Sequence, residues 1–375
     1  MKKILITSGG FYPGFKFGGP VRSICNLIDN LNDSYDFNVV SSDRDLSDVK
    51  PYKNIKVDQW SNSYKGNDVY YSSPGLFSLL KLALSLKGSH FDIVYLNSYF
   101  SIKYSQFIIL LTRIGLFTCD QIIVAPRGEL TMGAMSLKGL KKRIFLRLIK
   151  ITGFNVNIKF QFTSKQECEE SLKFLGNVNH IEVPNMHAQF PPYRKKKKEK
   201  GELRVIFLSR ISEKKNLHTF LQSLSNIECE KLTLTIAGVV EDENYWQRCE
   251  DILSTFSSRI HVRLLGSVDR DEVAGELENS HLFVLPTLNE NYGHAIVEAM
   301  MYSNTVLLSD QTPWNKVSRN GGFVVGAYDT EGYKNAVESV ISMNTEVFNY
   351  HTLRTYNYCN DILNINELKI KNLFE

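Results

Sequence analysis

The chain has 375 residues, 43% of them hydrophobic and 22% charged, an ordinary globular composition that excludes extended disorder and is long enough for two domains. Its formal net charge of +4 is too slight for the dense basic stripe of a nucleic-acid binder, so no nucleic-acid partner is expected. The six cysteines contain no C-x-x-C pair, which points away from zinc and redox sites and towards reduced core thiols in the cytoplasm.

Residues 3–8 form an apolar run that ends on Ser8-Gly9-Gly10. This reads as a buried first strand and a turn rather than a targeting segment. Ile24, Leu27, Ile28 and Leu31 then recur at helical spacing, so the chain opens as strand, glycine turn and helix. Further strands are predicted at 37–41, 91–96, 121–125 and 159–163, with a helix at 76–86 between them. The apolar stretch 107–117 is interrupted by Arg113 and is too short to span a bilayer.

A second start follows. Residues 203–209 are a buried-strand run and a helix pattern begins at Leu217. Strands are then expected at 232–237, 262–265, 282–286, 306–309 and 322–325. The alternation predicts two Rossmann-like α/β/α domains, each built on a parallel sheet. The expected boundaries are 1–190, a basic linker at 191–201, and 202–350, with 351–375 crossing back to the first domain. Two prolines and the run Arg194-Lys195-Lys196-Lys197-Lys198 make the linker read as solvated.

The segment from Leu285 to Met300 carries most of the chemistry. Glu290 and Glu298 lie eight residues apart with Gly293 between them. A loop is expected to end at Gly293 and a helix to begin near His294, with Glu298 in its second turn. The free N–H groups at such a helix start suit an anion, and the two carboxylates suit hydroxyl groups. Taken alone, two glutamates at this spacing would be read as solvated surface.

This segment resembles the E-x7-E signature of glycosyltransferase family 4, and the likeness extends through other motifs. Ser209-Arg210 through Lys215 resembles the family's diphosphate-binding strand end. The loop with Gly18 and Gly19 resembles its glycine-rich first loop. Segments beginning at Ala125, Val183, Ile236 and Thr312 also match, the first of these resembling a subgroup that builds bacterial surface polysaccharides.

The resemblance implies the GT-B architecture, two domains facing a cleft, and a retaining transfer. It implies that Glu290 contacts the donor sugar and Glu298 the ribose, while Arg210 and Lys215 hold the diphosphate. Backbone groups of Tyr292, Gly293 and His294, with Gly238 and Gly266, would complete the donor site. Arg127 and Glu129 would lie on the acceptor side. Asn97 stands where many members have a histidine; it can hydrogen-bond but cannot titrate. The expected donor is a UDP-hexose or UDP-N-acetylhexosamine. The expected acceptor is a saccharide, lipid-linked, in polysaccharide or lipopolysaccharide assembly. A non-catalytic sugar-nucleotide-binding subunit and a GT-B epimerase remain the alternatives.

No cofactor is expected. Asp43-Arg44-Asp45 and Asp269-Arg270-Asp271 match D-x-D but read as turn and capping carboxylates, so no metal is expected either. The stretch 137–150 carries Lys138, Lys141, Lys142, Arg143, Arg147 and Lys150 without an acid, and Leu137, Leu140, Ile144 and Leu148 form an apolar stripe. It reads as a surface helix with that stripe packed inward, its basic face available to an anionic membrane. Together with 194–200 it would make the protein peripheral on the inner face of the plasma membrane.

Overall fold

The computed structural model describes residues 1–136, 139–151, 153, 156–225, 227 and 229–374. The chain divides into two compact units, Met1–Gln189 with Asn366–Glu375, and Phe190–Ile365.

Among the described residues of the first unit, eight strands form one sheet. They are β1 (Lys2–Thr7), β2 (Tyr35–Ser42), β3 (Trp60–Tyr64), β4 (Asn67–Ser72), β5 (His90–Leu96), β6 (Thr118–Val124), β7 (Ile158–Phe162) and β8 (His180–Glu182), in the order β3-β4-β2-β1-β5-β6-β7-β8. All pairings are parallel except β3 with β4, so the sheet is mixed where a parallel one was expected. That hairpin turns through Lys65 and Gly66, both at positive φ, as a tight two-residue turn requires.

Among the described residues six helices cover the faces: α1 (Gly19–Leu31), α2 (Leu76–Leu86), α3 (Phe107–Arg113), α4 (Met132–Ser136), α5 (Gly139–Ile151) and α6 (Lys165–Leu175). A π-helical turn, Ile102–Gln106, leads into α3. The predicted periodicity of α1 is real: Ile24, Leu27, Ile28 and Leu31 are buried against β1 and β2. That same face is closed by Ile370, Leu373 and Phe374, with the Phe374 ring 5.5 Å from both Tyr35 and Tyr95. The opposite face takes α2, α3, α5 and α6.

Among its described residues the second unit has a six-stranded parallel sheet in the order β11-β10-β9-β12-β13-β14. The strands are β9 (Glu202–Leu208), β10 (Lys231–Ala237), β11 (Ile260–Gly266), β12 (Leu282–Leu285), β13 (Thr305–Ser309) and β14 (Phe323–Val325). Its helices are α7 (Leu217–Leu224), α8 (Glu243–Leu253), α9 (Arg270–Asn279), α10 (His294–Met301), α11 (Thr330–Ser342) and the long α12 (Thr345–Lys371), which ends in residues of the first unit. Central strands such as β12, with all four residues buried, explain why the run reads as continuously apolar.

The lysine run at 195–198 is not a solvated linker throughout. The Lys196 ammonium donates to the carbonyls of Leu277 and Ser280, both at 2.7 Å, and to Asn304 Oδ1 at 3.0 Å. Lys198 is buried and donates to the carbonyls of Glu199, Ile341 and Met343. The reason is periodicity: in extended chain alternate side chains point opposite ways. Lys195 and Lys197 therefore stay in water while Lys196 and Lys198 reach orphan carbonyls at helix ends.

Candidate functional site

In a parallel sheet the loops beyond the strands' carboxyl ends carry the chemistry. In the second unit, the loops after β9, β10 and β12 are stitched together there. Ser209 N donates to Ala237 O at 3.0 Å. A Cβ on Gly238 would lie 1.9 Å from Ser209 O, so only glycine allows this approach. Gly238 N in turn donates to Gly266 O at 2.6 Å.

A 3-10 turn, Glu213–Lys215, follows Arg210, and Asn216 then adopts a left-handed conformation at φ 56°. Its side-chain amide donates to Pro286 O at 3.0 Å and Ala327 O at 2.7 Å. The Lys214 carbonyl accepts from Leu288 N at 2.8 Å and from Thr287 Oγ1 at 3.1 Å. These bonds tie the β9 loop to the β12 loop and set the geometry of the charged groups.

Lys215 Nζ lies 2.6 Å from Glu290 Oε2, with the two side chains 11% and 18% exposed. Burial by itself would raise the Glu290 carboxyl. The charge and hydrogen bond of Lys215, then Lys214 and the Asn291 N–H, hold it below the ordinary carboxylate range. Glu290 N donates to Gln311 O at 3.0 Å, which anchors the loop to the chain after β13. Arg210 is exposed and paired with Glu241 at 2.8 Å.

Gly293, at φ 78°, caps the start of α10, which begins at His294 and puts Glu298 in its second turn. Glu298 and His294 are half-buried. Tyr292 is buried, its carbonyl accepting from Trp314 Nε1 at 2.6 Å and its ring 4.7 Å from His294. The fold thus brings Lys215, Glu290 and the amino end of α10 into one place. Lys214, Asn216 and Glu241 were not singled out as site residues in the sequence. Only the left-handed tolerance of asparagine before a helix hinted at Asn216.

In the first unit, Asn97 follows β5 and is buried. Arg127, at φ 55°, forks onto Asn97 Oδ1 from Nη2 at 2.6 Å and Nε at 3.2 Å. It also donates to Tyr95 Oη at 2.7 Å and to Asn185 Oδ1. Tyr95 Oη passes the chain on to Gln161 Oε1 at 2.5 Å. Asn97 and Arg127 are therefore one network at the strand ends. Glu129 accepts from Ser98 Oγ, Tyr99 N and Phe100 N at 2.7, 2.6 and 3.0 Å, so its carboxylate holds the loop after β5. Gly18, at φ 67°, and Gly19 sit at the amino end of α1, where Asp45 holds the first loop by accepting from Phe15 N and Lys16 N.

Of the D-x-D carboxylates, Asp43, Asp45 and Asp269 have protein partners, and the side chain of Asp271 lies outside the described residues. Arg44 forks onto Asp43 at 2.8 and 3.0 Å, and Asp269 accepts from Glu272 N at 3.0 Å as a helix cap. Among the described residues, His90, Asp92 and Asp120 bring three ligand-type atoms within 4.8 Å. They lie at the opposite ends of the strands, and Asp92 already accepts from Lys3 N at 2.6 Å.

The basic helix departs from expectation. Leu137 and Lys138 lie outside the described residues, as do the side chains of Leu140 and Lys150. Of the predicted inward stripe, Ile144 and Leu148 are 50% and 58% exposed. The inward face is instead Phe145, Leu146 and Ile149. The helix has apolar residues in two phases, and the one that puts the Phe145 ring 6.1 Å from Tyr99 and 5.5 Å from Phe100 prevails. No helix among the described residues is long and apolar enough to cross a membrane.

Residues 189–356 match the family model for glycosyl transferases group 1. A phosphatidyl-myo-inositol mannosyltransferase from Mycobacterium leprae is 27% identical over 143 residues, 36% of this chain and 37% of that protein. The match thus spans little more than a third of the relative's length. HepE of Anabaena, solved with UDP and glucose, superposes with a TM-score of 0.70 at 13% identity over 100% of this chain and 99% of that one. Sucrose-phosphate synthase from Thermosynechococcus elongatus gives 0.70 at 13% identity, covering 100% and 98%. The chain has the GT-B fold, and its residues 189–356 match the model of a glycosyl transferase family.

Proposed function

We propose that the chain transfers a hexose or N-acetylhexosamine from a nucleotide diphosphate sugar, UDP-linked first, to a lipid-linked saccharide in cell-surface polysaccharide or lipopolysaccharide assembly. The observation that carries this reading is the pairing of Lys215 with Glu290 beside the amino end of α10. A cation, a carboxylate and the positive end of a helix dipole in one place suit a sugar diphosphate. HepE, of the same fold, holds UDP and glucose, which supports the donor class.

In this reading Lys215 and Arg210 stabilise the departing diphosphate without a metal. Glu290 orients the sugar hydroxyls, and Glu298 takes the ribose. The acceptor attacks the face from which the diphosphate leaves, so configuration is retained and leaving-group stabilisation matters more than a strong base. Arg127 and Glu129 shape the acceptor side, and Asn97 acts by hydrogen bonding.

Calorimetry with UDP-, GDP- and ADP-sugars in excess EDTA tests the proposal. One nucleotide series binds and turns over with a lipid-linked acceptor. Failure of every donor overturns the reading. Loss of turnover in EDTA that manganese restores overturns metal independence alone.

A further inference from the structure

The first unit exposes far more apolar surface on one side than a water-facing helix layer does. Helix α2 has the sequence LFSLLKLALSL, eight of whose eleven residues are apolar, yet only Ser78, Leu82 and Leu86 are buried. Leu76, Phe77, Leu80 and Leu84 are 82%, 84%, 60% and 62% exposed. A helix apolar all round is normally enclosed, and exposed apolar patches of this kind mark a contact surface.

Helix α5 lies on the same face of the sheet and adds Ile144 and Leu148. The layer is continuous through the π-helical turn: Lys103 Nζ, beside α3, donates to Ser73 O just before α2, and Lys142 of α5 lies 5.1 Å over the Phe100 ring just before that turn.

Along α2, α3, α4 and α5 the charge has one sign. The segments 73–89, 99–117 and 130–151 contain no aspartate or glutamate. They contain Lys81, Lys87, Lys103 and Arg113, besides the lysines and arginines of α5. Asp58, beside α2, is bound by Ser73, Ser78 and Lys81, and exposed acids reappear on α6.

We propose that α2 and α5 together form a face that seats on an anionic bilayer surface, with the α2 leucines and Phe77 entering the boundary between headgroups and acyl chains. Apolar side chains flanked by the cations of α2, α3 and α5 complement such a surface, whereas a water-facing layer has no use for Leu76, Phe77, Leu80 and Leu84. This extends to α2 the lipid contact expected of α5. It is independent of the donor assignment. The tract 194–200 is not part of the face, because Lys196 and Lys198 are turned inward.

The test is co-sedimentation of the full chain with vesicles of phosphatidylcholine alone and of phosphatidylcholine with phosphatidylglycerol. The wild type binds the mixed vesicles, and binding weakens as salt is added. Phe77→Ser with Leu80→Ser lowers the partition coefficient by about tenfold or more. Arg143→Glu with Arg147→Glu does likewise, and Leu264→Ser, an exposed leucine of the second unit, changes nothing. All these side chains are exposed, and unchanged circular dichroism verifies folding. If the α2 pair binds as wild type while the α5 pair does not, the α2 face is refuted and the α5 contact stands. Equal binding to neutral vesicles, or none to either, overturns both. A soluble dimer that the α2 pair dissociates in sedimentation velocity assigns the face to a second copy and overturns the lipid assignment.

Discussion

Replacing Lys215 with alanine separates the structural and binding roles of the candidate site. The ammonium lies 2.6 Å from Glu290, and the two side chains are 11% and 18% exposed. Removing one partner of a fully buried pair costs about 3–5 kcal/mol, and of an exposed pair under about 1 kcal/mol. With this residual exposure, and with Lys214 and the Asn291 N–H still beside the carboxylate, the expected loss of stability is about 1.5–3 kcal/mol. The sign with pH follows from the lowered Glu290 carboxyl. The stabilisation is complete above the ordinary value of 4.5 and is lost as pH falls through the folded-state value. The same substitution deletes a charge-assisted contact to the proposed diphosphate, weakening UDP by about 10–100-fold. Glu290→Gln acts oppositely on binding: it removes an anion from the diphosphate's surroundings, so UDP affinity holds or rises while transfer falls. Urea melts at pH 7 and pH 4, with calorimetric titration of UDP, measure both effects. If Lys215→Ala binds UDP as wild type does, Lys215 does not face the diphosphate and the site assignment fails.

Other substitutions probe the surroundings. Glu241→Gln frees Arg210; because that pair is exposed, UDP binding at low salt tightens by no more than about fivefold, and weaker binding would show that Glu241 assists rather than competes. Gly238→Ala forces a Cβ against Ser209 O and costs about 3 kcal/mol or more, so a thermal midpoint near the wild type's contradicts the close approach. Burial, then the charge of Arg204, pushes the His281 imidazole from 6.5 down to about 3. Its neutral form stabilises fully above pH 6.5, and that stability is lost as pH falls towards 3; His281→Asn flattens this part of the urea-stability profile, and an unchanged profile refutes it. Asn97→His, buried beside the Arg127 guanidinium, introduces a step in activity below about pH 6.5 that the wild type lacks, and a step already present in the wild type means another group titrates.

The sheets were legible because buried parallel strands are unbroken apolar runs; β1, β9 and β12 stand where those runs lie. The β3–β4 hairpin was missed because Trp60–Tyr64 is polar between its aromatic ends, although the Lys65-Gly66 turn was a usable sign. Helix α12 was missed because its buried stripe, Phe348, Thr352, Thr355, Cys359, Leu363 and Ile370, includes threonines and so does not read as an apolar period. The start of α10 was legible from Gly293, since a left-handed residue there needs glycine. The partners of Arg210 and Lys215 were not, since Lys215 meets a carboxylate 75 positions away through the bonds of Asn216 and Lys214. Helix α5 was legible as a helix but not in its phase, which Tyr99 and Phe100 decide.

The alternation within Lys195-Lys196-Lys197-Lys198 changes how a polybasic tract is to be dissected. Neutralising all four as a block removes the two ammonium groups that tie this strand of chain to Leu277, Ser280, Ile341 and Met343. Such a block variant lowers the yield of folded protein, and any interaction assayed with it then looks charge-dependent. Lys195 and Lys197 changed together probe surface charge; Lys196 or Lys198 changed alone probes the integrity of the second unit. Amine-reactive reagents draw the same line on the unmodified protein, labelling the two outward lysines well before the two that face inward.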